Sequence, residues 1–108
     1  MNINCKGRVN VSLPGTPVPL TTDPTVTASK LLFQVIPGLT GKTYVGVAGM
    51  TKATLSGVAR TLVPNASGGF SETFYIEAQD GADSIRLKDY VIDADVAGEG
   101  LLVTYWQE

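Results

Sequence analysis

Histidine is absent from this 108-residue chain, and cysteine occurs once. Without an imidazole there is no ordinary base to activate a serine or threonine hydroxyl, which argues against nucleophilic catalysis. The lone Cys5 excludes an internal disulfide and a cysteine-rich zinc site. It is expected as a small, partly buried apolar side chain, with a reactive thiol as the alternative. One thiol also fits folding in a reducing cytosol. Long apolar runs are lacking too. Met1 to Lys6 has no stretch of the signal-peptide kind and nothing approaches a membrane-spanning helix, so no membrane is expected among the partners, and exit from the cell would use a route such as lysis. Charged residues make up only 17% of the chain. No basic cluster interleaved with aromatics marks a nucleic-acid surface.

What is present favours turns and strands: 12 glycines, 6 prolines and 44% hydrophobic residues. A chain of this size can bury about two thirds of its unfolded surface, enough for one modest core without staples. The expectation is a single β-domain over 1–108. Arg8 to Leu13 alternates, placing Val9, Val11 and Leu13 on one face. Residues 14–27 are rich in proline and read as an irregular edge or loop. Ser29 to Ile36 is apolar on both faces and reads as a central strand. Thr43 to Ala48 is the next, with Gly46 marking a bulge or a close backbone approach. A long loop or insertion is expected within 51–71: Thr51 to Ala59 could form a short helical turn but its Thr, Ser, Gly and Val content favours a loop or irregular strand, and Pro64 to Gly69 reads as a flexible turn. Glu72 to Ala78 alternates, Gln79 to Ala82 reads as a turn, and short strands follow at Ile85–Leu87, Tyr90–Asp93 and Leu101–Trp106. Turn signals at roughly ten-residue spacing indicate an all-β fold, a β-sandwich or flattened barrel with long loops. Leu31, Phe33, Val35, Val45, Val47, Phe74, Ile76, Ile92, Val103 and Tyr105 are expected to form much of the core.

Few constellations suggest chemistry. Gly38 to Thr43 superficially suggests a phosphate loop. It lacks the first glycine, Ile36 standing there, and it leads into a strand where phosphate cradling needs a helix; it reads as a Gly-Lys turn. Asp93, Asp95 and Glu99 form one carboxylate cluster. Alternate Asp residues in a turn can supply oxygen ligands to a hard cation, but the full calcium-loop spacing is absent, and a structural role in backbone hydrogen bonds is expected. A carboxylate pair for glycoside hydrolysis is not singled out by anything. Asn10-Val11-Ser12 and Asn65-Ala66-Ser67 fit the glycosylation pattern but read as chance. No catalytic, cofactor-binding or metal-ligating residue is assigned, no cofactor is expected, and the chain is expected not to be an enzyme.

Charge is uneven along the chain. Residues 1–60 carry six cations against Asp23 alone, net +5, whereas residues 61–108 carry Arg86 and Lys88 against nine carboxylates, net −7. This polarity either orients the protein on a partner or vanishes if strands from the two halves interleave. Tyr44, Tyr75, Tyr90, Tyr105 and Trp106 either close the core with a polar edge outward or lie in part at a subunit interface, where such residues are enriched.

Asp89-Tyr90-Val91-Ile92-Asp93-Ala94-Asp95, the turn Gly98-Glu99-Gly100 and the closing Thr104-Tyr105-Trp106 resemble the ending of a group of small tailed-phage virion proteins. Gly15-Thr16-Pro17-Val18-Pro19-Leu20, Leu32-Phe33-Gln34-Val35 and Gly41-Lys42-Thr43-Tyr44-Val45-Gly46 resemble its earlier segments. The stretch between Val58 and Asp83 is longer than in shorter relatives. The resemblance implies a virion role and carries over no catalytic residue. Its most specific implication is a capsid decoration, or cement, protein that binds the major capsid protein on the outer head surface as a homo-oligomer, a trimer in preference to a dimer. The alternatives are a neck, tail or fibre-attachment component, or a carbohydrate-binding module with exposed coplanar aromatic rings.

Overall fold

Alternation of apolar and polar residues builds the first sheet outward from β4 (Lys30–Val35). Leu31, Phe33 and Val35 are buried on one face, while Lys30, Leu32 and Gln34 stay half-exposed on the other. In the computed structural model, which describes residues 2–64, 72–79 and 83–107, β4 is flanked by β10 (Gly100–Gln107) and β7 (Thr73–Glu77), and β10 pairs in turn with β1 (Asn2–Asn10). The second sheet runs β2 (Val18–Pro19), β9 (Tyr90–Ala94), β5 (Thr43–Thr51) and β6 (Ser56–Leu62). A short ribbon joins β3 (Thr27–Ala28) to β8 (Ile85–Arg86). Every pairing is antiparallel, and no α-helix occurs among the described residues. The fold is all-β and sandwich-like, as the sequence predicts. β2 lies at a sheet edge, the position where Pro19, which has no N–H to donate, is tolerated.

The core lies between the inner faces of the two sheets. Leu31, Phe33 and Val103 from the first meet Val45, Leu62 and Ile92 from the second in one buried cluster. Phe74 is half-buried, and its ring stacks on that of Phe33 with centroids 6.2 Å apart. Phe74, Ile76 and Tyr105 pack against the cluster without being fully enclosed. Gly46 shows both features expected of it. The β5–β6 register shifts beside it, and a Cβ there would lie 2.2 Å from the Gly57 carbonyl oxygen. Gly100 is tighter still, because a Cβ would lie 1.8 Å from the Val9 carbonyl oxygen as β10 starts alongside β1.

Three expectations are corrected, and one region is resolved further. Leu13 does not share the face of Val9 and Val11. The strand occupies Asn2–Asn10 and ends there, the chain then bends, and Leu13 is 64% exposed. Val47 has the inward parity of Val45 but is 48% exposed, so the core ends before it although β5 continues. Of the region 51–71, residues 65–71 lie outside the described residues, and the part before them contains a strand. β5 runs through Thr51, the chain turns, and Ser56–Leu62 returns as β6 along it. Cys5 is exposed, not partly buried, because its edge strand turns it away from the sandwich. The expected turns over Asn65–Gly69 and Asp80–Ala82, and the Asn65-Ala66-Ser67 pattern, lie outside the described residues.

Candidate interaction surface

The carboxylate cluster is divided among three separate tasks. Asp93 is buried, and its Oδ1 accepts the Gly15 and Ala94 N–H groups at 3.1 and 2.8 Å. Its Oδ2 is enclosed and has no hydrogen-bond partner. Asp95 accepts from the Tyr44 hydroxyl at 3.1 Å and from the Lys52 ammonium at 3.0 Å. Burial pushes the Asp95 carboxyl up, but these two donors together hold it below its ordinary value. Burial, with the Asp95 charge behind it, raises the Tyr44 phenol. Glu99 reaches the turn between β4 and β5, accepting the N–H groups of Thr40 and Gly41 at 3.1 and 2.9 Å and the Thr40 hydroxyl at 3.2 Å. Burial again opposes its charge, and these donors, with Arg8 nearby, outweigh burial and lower it. The Gly-Lys segment is therefore a turn between two strands, clamped by a carboxylate from the far end of the chain. Among the described residues, no three His, Cys, Asp or Glu side chains converge as a metal-binding group.

Part of the charge polarity along the chain is paired off in space. Among the described residues, the ion pairs Lys30–Glu77, Lys52–Asp95 and Arg60–Glu72 each join a cation from residues 1–60 to a carboxylate from residues 61–108. The cause is topological, since β10 lies between β1 and β4, and β9 lies beside β5. The edges of the first sheet keep their sign, basic along β1 and acidic along β7.

The aromatic residues divide. Tyr90 and Tyr105 pack against the core. Tyr44 is buried on the outer face of the second sheet with Met50 and Val91. Tyr75 and Trp106 lie on the outer face of the first sheet, where cross-strand pairing sets out three rows. Ile3, Trp106, Lys30 and Glu77 form one row; Cys5, Thr104, Leu32 and Tyr75 the next; Arg8, Leu102, Gln34 and Thr73 the third. Ile3 is 62% and Tyr75 56% exposed, and Leu32, Leu102 and Trp106 are half-exposed. The Lys30 ammonium sits 4.7 Å from the Tyr75 ring centroid and 5.2 Å from that of Trp106. It thus takes up part of both aromatic surfaces, which a sugar stacking across the two would need free. Comparison with models of protein families, with curated proteins and with solved structures finds no match to this chain.

Sequence reasoning pointed to the aromatic residues but missed Ile3, Leu32, Leu102 and Lys30 as their neighbours. Strand parity was the available signal for Leu32 and Leu102, which alternate with the inward Phe33 and Val103. Their meeting with Ile3 needed the pairing of β10 with both β1 and β4. A second feature is a groove of about 570 Å³ lined by Pro17, Pro19, Ala48, Met50, Lys88 and Val91. It lies beside the edge strand β2, between the Pro-rich segment and the end of β5.

Proposed function

We propose that this chain is a virion structural protein that binds the outer surface of a tailed-phage head as a homo-oligomer, a trimer in preference to a dimer, and reinforces contacts between neighbouring major capsid protein subunits. Support comes from the resemblance of its strand and turn segments to small tailed-phage virion proteins. The observation that carries the binding part is the uncovered outer face of the first sheet, where Ile3, Leu32, Tyr75, Leu102 and Trp106 gather on adjoining strands. Contiguous apolar surface of this kind, rimmed by Arg8, Lys30 and Glu77, is characteristic of a face that meets another protein. A binder that engages only the assembled shell stabilises it by mass action. Weak individual contacts suffice, because each copy bridges subunits already held in place.

Quantifying the protein in purified particles tests this reading. A copy number commensurate with the capsid subunits is expected, and particles lacking the protein should open at lower temperature. The low copy number of a neck, tail or fibre-attachment part, or unchanged shell stability, would overturn the cement reading.

A further inference from the structure

We infer that the first sheet is continued from one copy of this chain to the next, β1 of one copy pairing antiparallel with β7 of its neighbour. The inference deepens the oligomeric part of the proposed function and is independent of capsid binding. Among the described residues, β1 and β7 are the two edges of the sheet, paired with β10 and β4 respectively. Within those residues each edge strand has a side without a sheet partner, and such backbone is a template for another strand.

Three arrangements of two copies are open to such edges, and charge separates them. Residues 2–10 contain Lys6 and Arg8 and no carboxylate, whereas residues 72–79 contain Glu72 and Glu77 and no cation. Pairing β1 with β1, or β7 with β7, opposes like charges, which is unfavourable across strands. Pairing β1 with β7 sets a basic strand beside an acidic one; rows continued straight across place Ile3 beside Glu77 and Arg8 beside Thr73, and a slide of about four residues along the strands brings Arg8 opposite Glu77. Arg8 and Glu77 are both exposed and both on the outer face, so they fall on the same side of the joined sheet. Glu77 has only a loose 3.5 Å pair with Lys30 at the surface; among the described residues Lys6 has no ion-pair partner, and Arg8 donates to the Asn10 side chain and the Gly98 carbonyl and acts on the Glu99 charge at a distance. The Cys5–Gly7 bulge interrupts the free edge of β1, a device that discourages indiscriminate pairing. What remains is an edge selective for an acidic strand.

Strand direction agrees. β1 and β4 run one way, β10 and β7 the other. Setting the next copy's β1 beside β7 keeps every neighbour antiparallel and every apolar face on the same side. The contact is head-to-tail, so it closes into a ring when the rotation per copy permits, and the outer faces of successive copies become one surface.

Sedimentation velocity of the full chain over a micromolar concentration series tests this with two charge-swapped variants, Lys6→Glu with Arg8→Glu, and Glu77→Lys with Gln79→Lys. Wild type should associate. Each variant alone should associate about tenfold more weakly, as befits cross-strand charge pairs turned from attractive to repulsive. An equimolar mixture of the two should regain association, because each then offers the edge that the other lacks. Circular dichroism spectra matching wild type establish that both variants are folded. A wild type that stays monomeric, variants that associate as wild type does, or a mixture no better than its parts would overturn the inference. A monomer that nevertheless decorates heads sinks this inference and spares the capsid reading, whereas an oligomer found away from the head does the reverse.

Discussion

The outer faces of the two sheets are built from the same period-two alternation and meet opposite fates. On the second sheet, Tyr44, Met50 and Val91 are buried. The Pro-rich segment runs along the edge of this sheet as β2, with Gly15 hydrogen-bonded to Asp93 and with Pro17 and Pro19 beside Met50 and Val91, while the Lys52 ammonium lies 5.9 Å from the Tyr44 ring centroid. On the first sheet, Leu32, Leu102 and Trp106 are half-exposed and Tyr75 more so. A sheet has two faces and this chain supplies one shared core, so each outer face is covered by a loop or left to water and partners. On the second sheet Met50 and Lys52 close over Tyr44 and the Pro-rich segment flanks the edge, and the uncovered face of the first is where an external partner gains most.

The largest expected effect tests the inner face against which both outer faces are defined. Phe33 is fully buried, so Phe33→Ala should cost about 3–5 kcal/mol in denaturant unfolding, close to the whole stability of a small domain. A near-neutral result would mean that the inner and outer faces are exchanged. Next in size, Gly46→Ala drives a methyl into the Gly57 carbonyl on the covered side and should cost about 1–3 kcal/mol.

The comparison sharpens with a matched pair of tyrosines. Tyr44→Phe removes the hydroxyl that Asp95 accepts and should cost about 1 kcal/mol. Tyr75→Ala, on the uncovered face, should change stability by less than about 0.5 kcal/mol while weakening attachment to particles. If Tyr75→Ala unfolds the domain as readily as a core truncation, the first sheet's outer face is not free.

The smallest effect is in acid. Asp95 and Glu99 both have lowered pKa values in the folded protein. Their contribution is therefore complete above the unfolded carboxylate values and is lost as pH falls through the lower folded ones. Urea midpoints should hold from neutrality to about pH 5 and fall below the unfolded values of 3.8 and 4.5. Asp95→Asn combined with Glu99→Gln should flatten that fall.

Legibility in the sequence followed the presence of a covering layer. The segment holding Leu31, Phe33 and Val35 could be read because alternation there reports a true difference between core and outside. Val47 could not, since its parity is correct and only the tertiary extent of the core decides its exposure. β6 is legible only as a loop or irregular strand because Ser56, Gly57, Ala59 and Arg60 are exposed. With little of it enclosed, this strand carries little apolar alternation, and its pairing with β5 holds it. Of the candidate surface, the aromatic residues were legible as types. Their division into core, covered face and open face was not, because it depends on which strands pair and where the Pro-rich segment runs. The same holds for the charges, whose separation along the chain is paired off where strands interleave and kept at the two edges of the first sheet.

That interleaving sets a timetable for folding. β10 is made after β1, β4 and β7, yet it occupies the interior of their sheet, between β1 and β4. As the chain leaves the ribosome, β1 has no neighbour in its own sheet, and the pair β4–β7 has an open flank, until the last strand emerges. The partner contacts of β1 span nearly the whole sequence, from Asn2 opposite Gln107 to Asn10 opposite Gly100. Closure of the first sheet is thus a late, long-range event of the kind that slows folding, and the nascent domain carries exposed strand edges for almost the entire time of its synthesis.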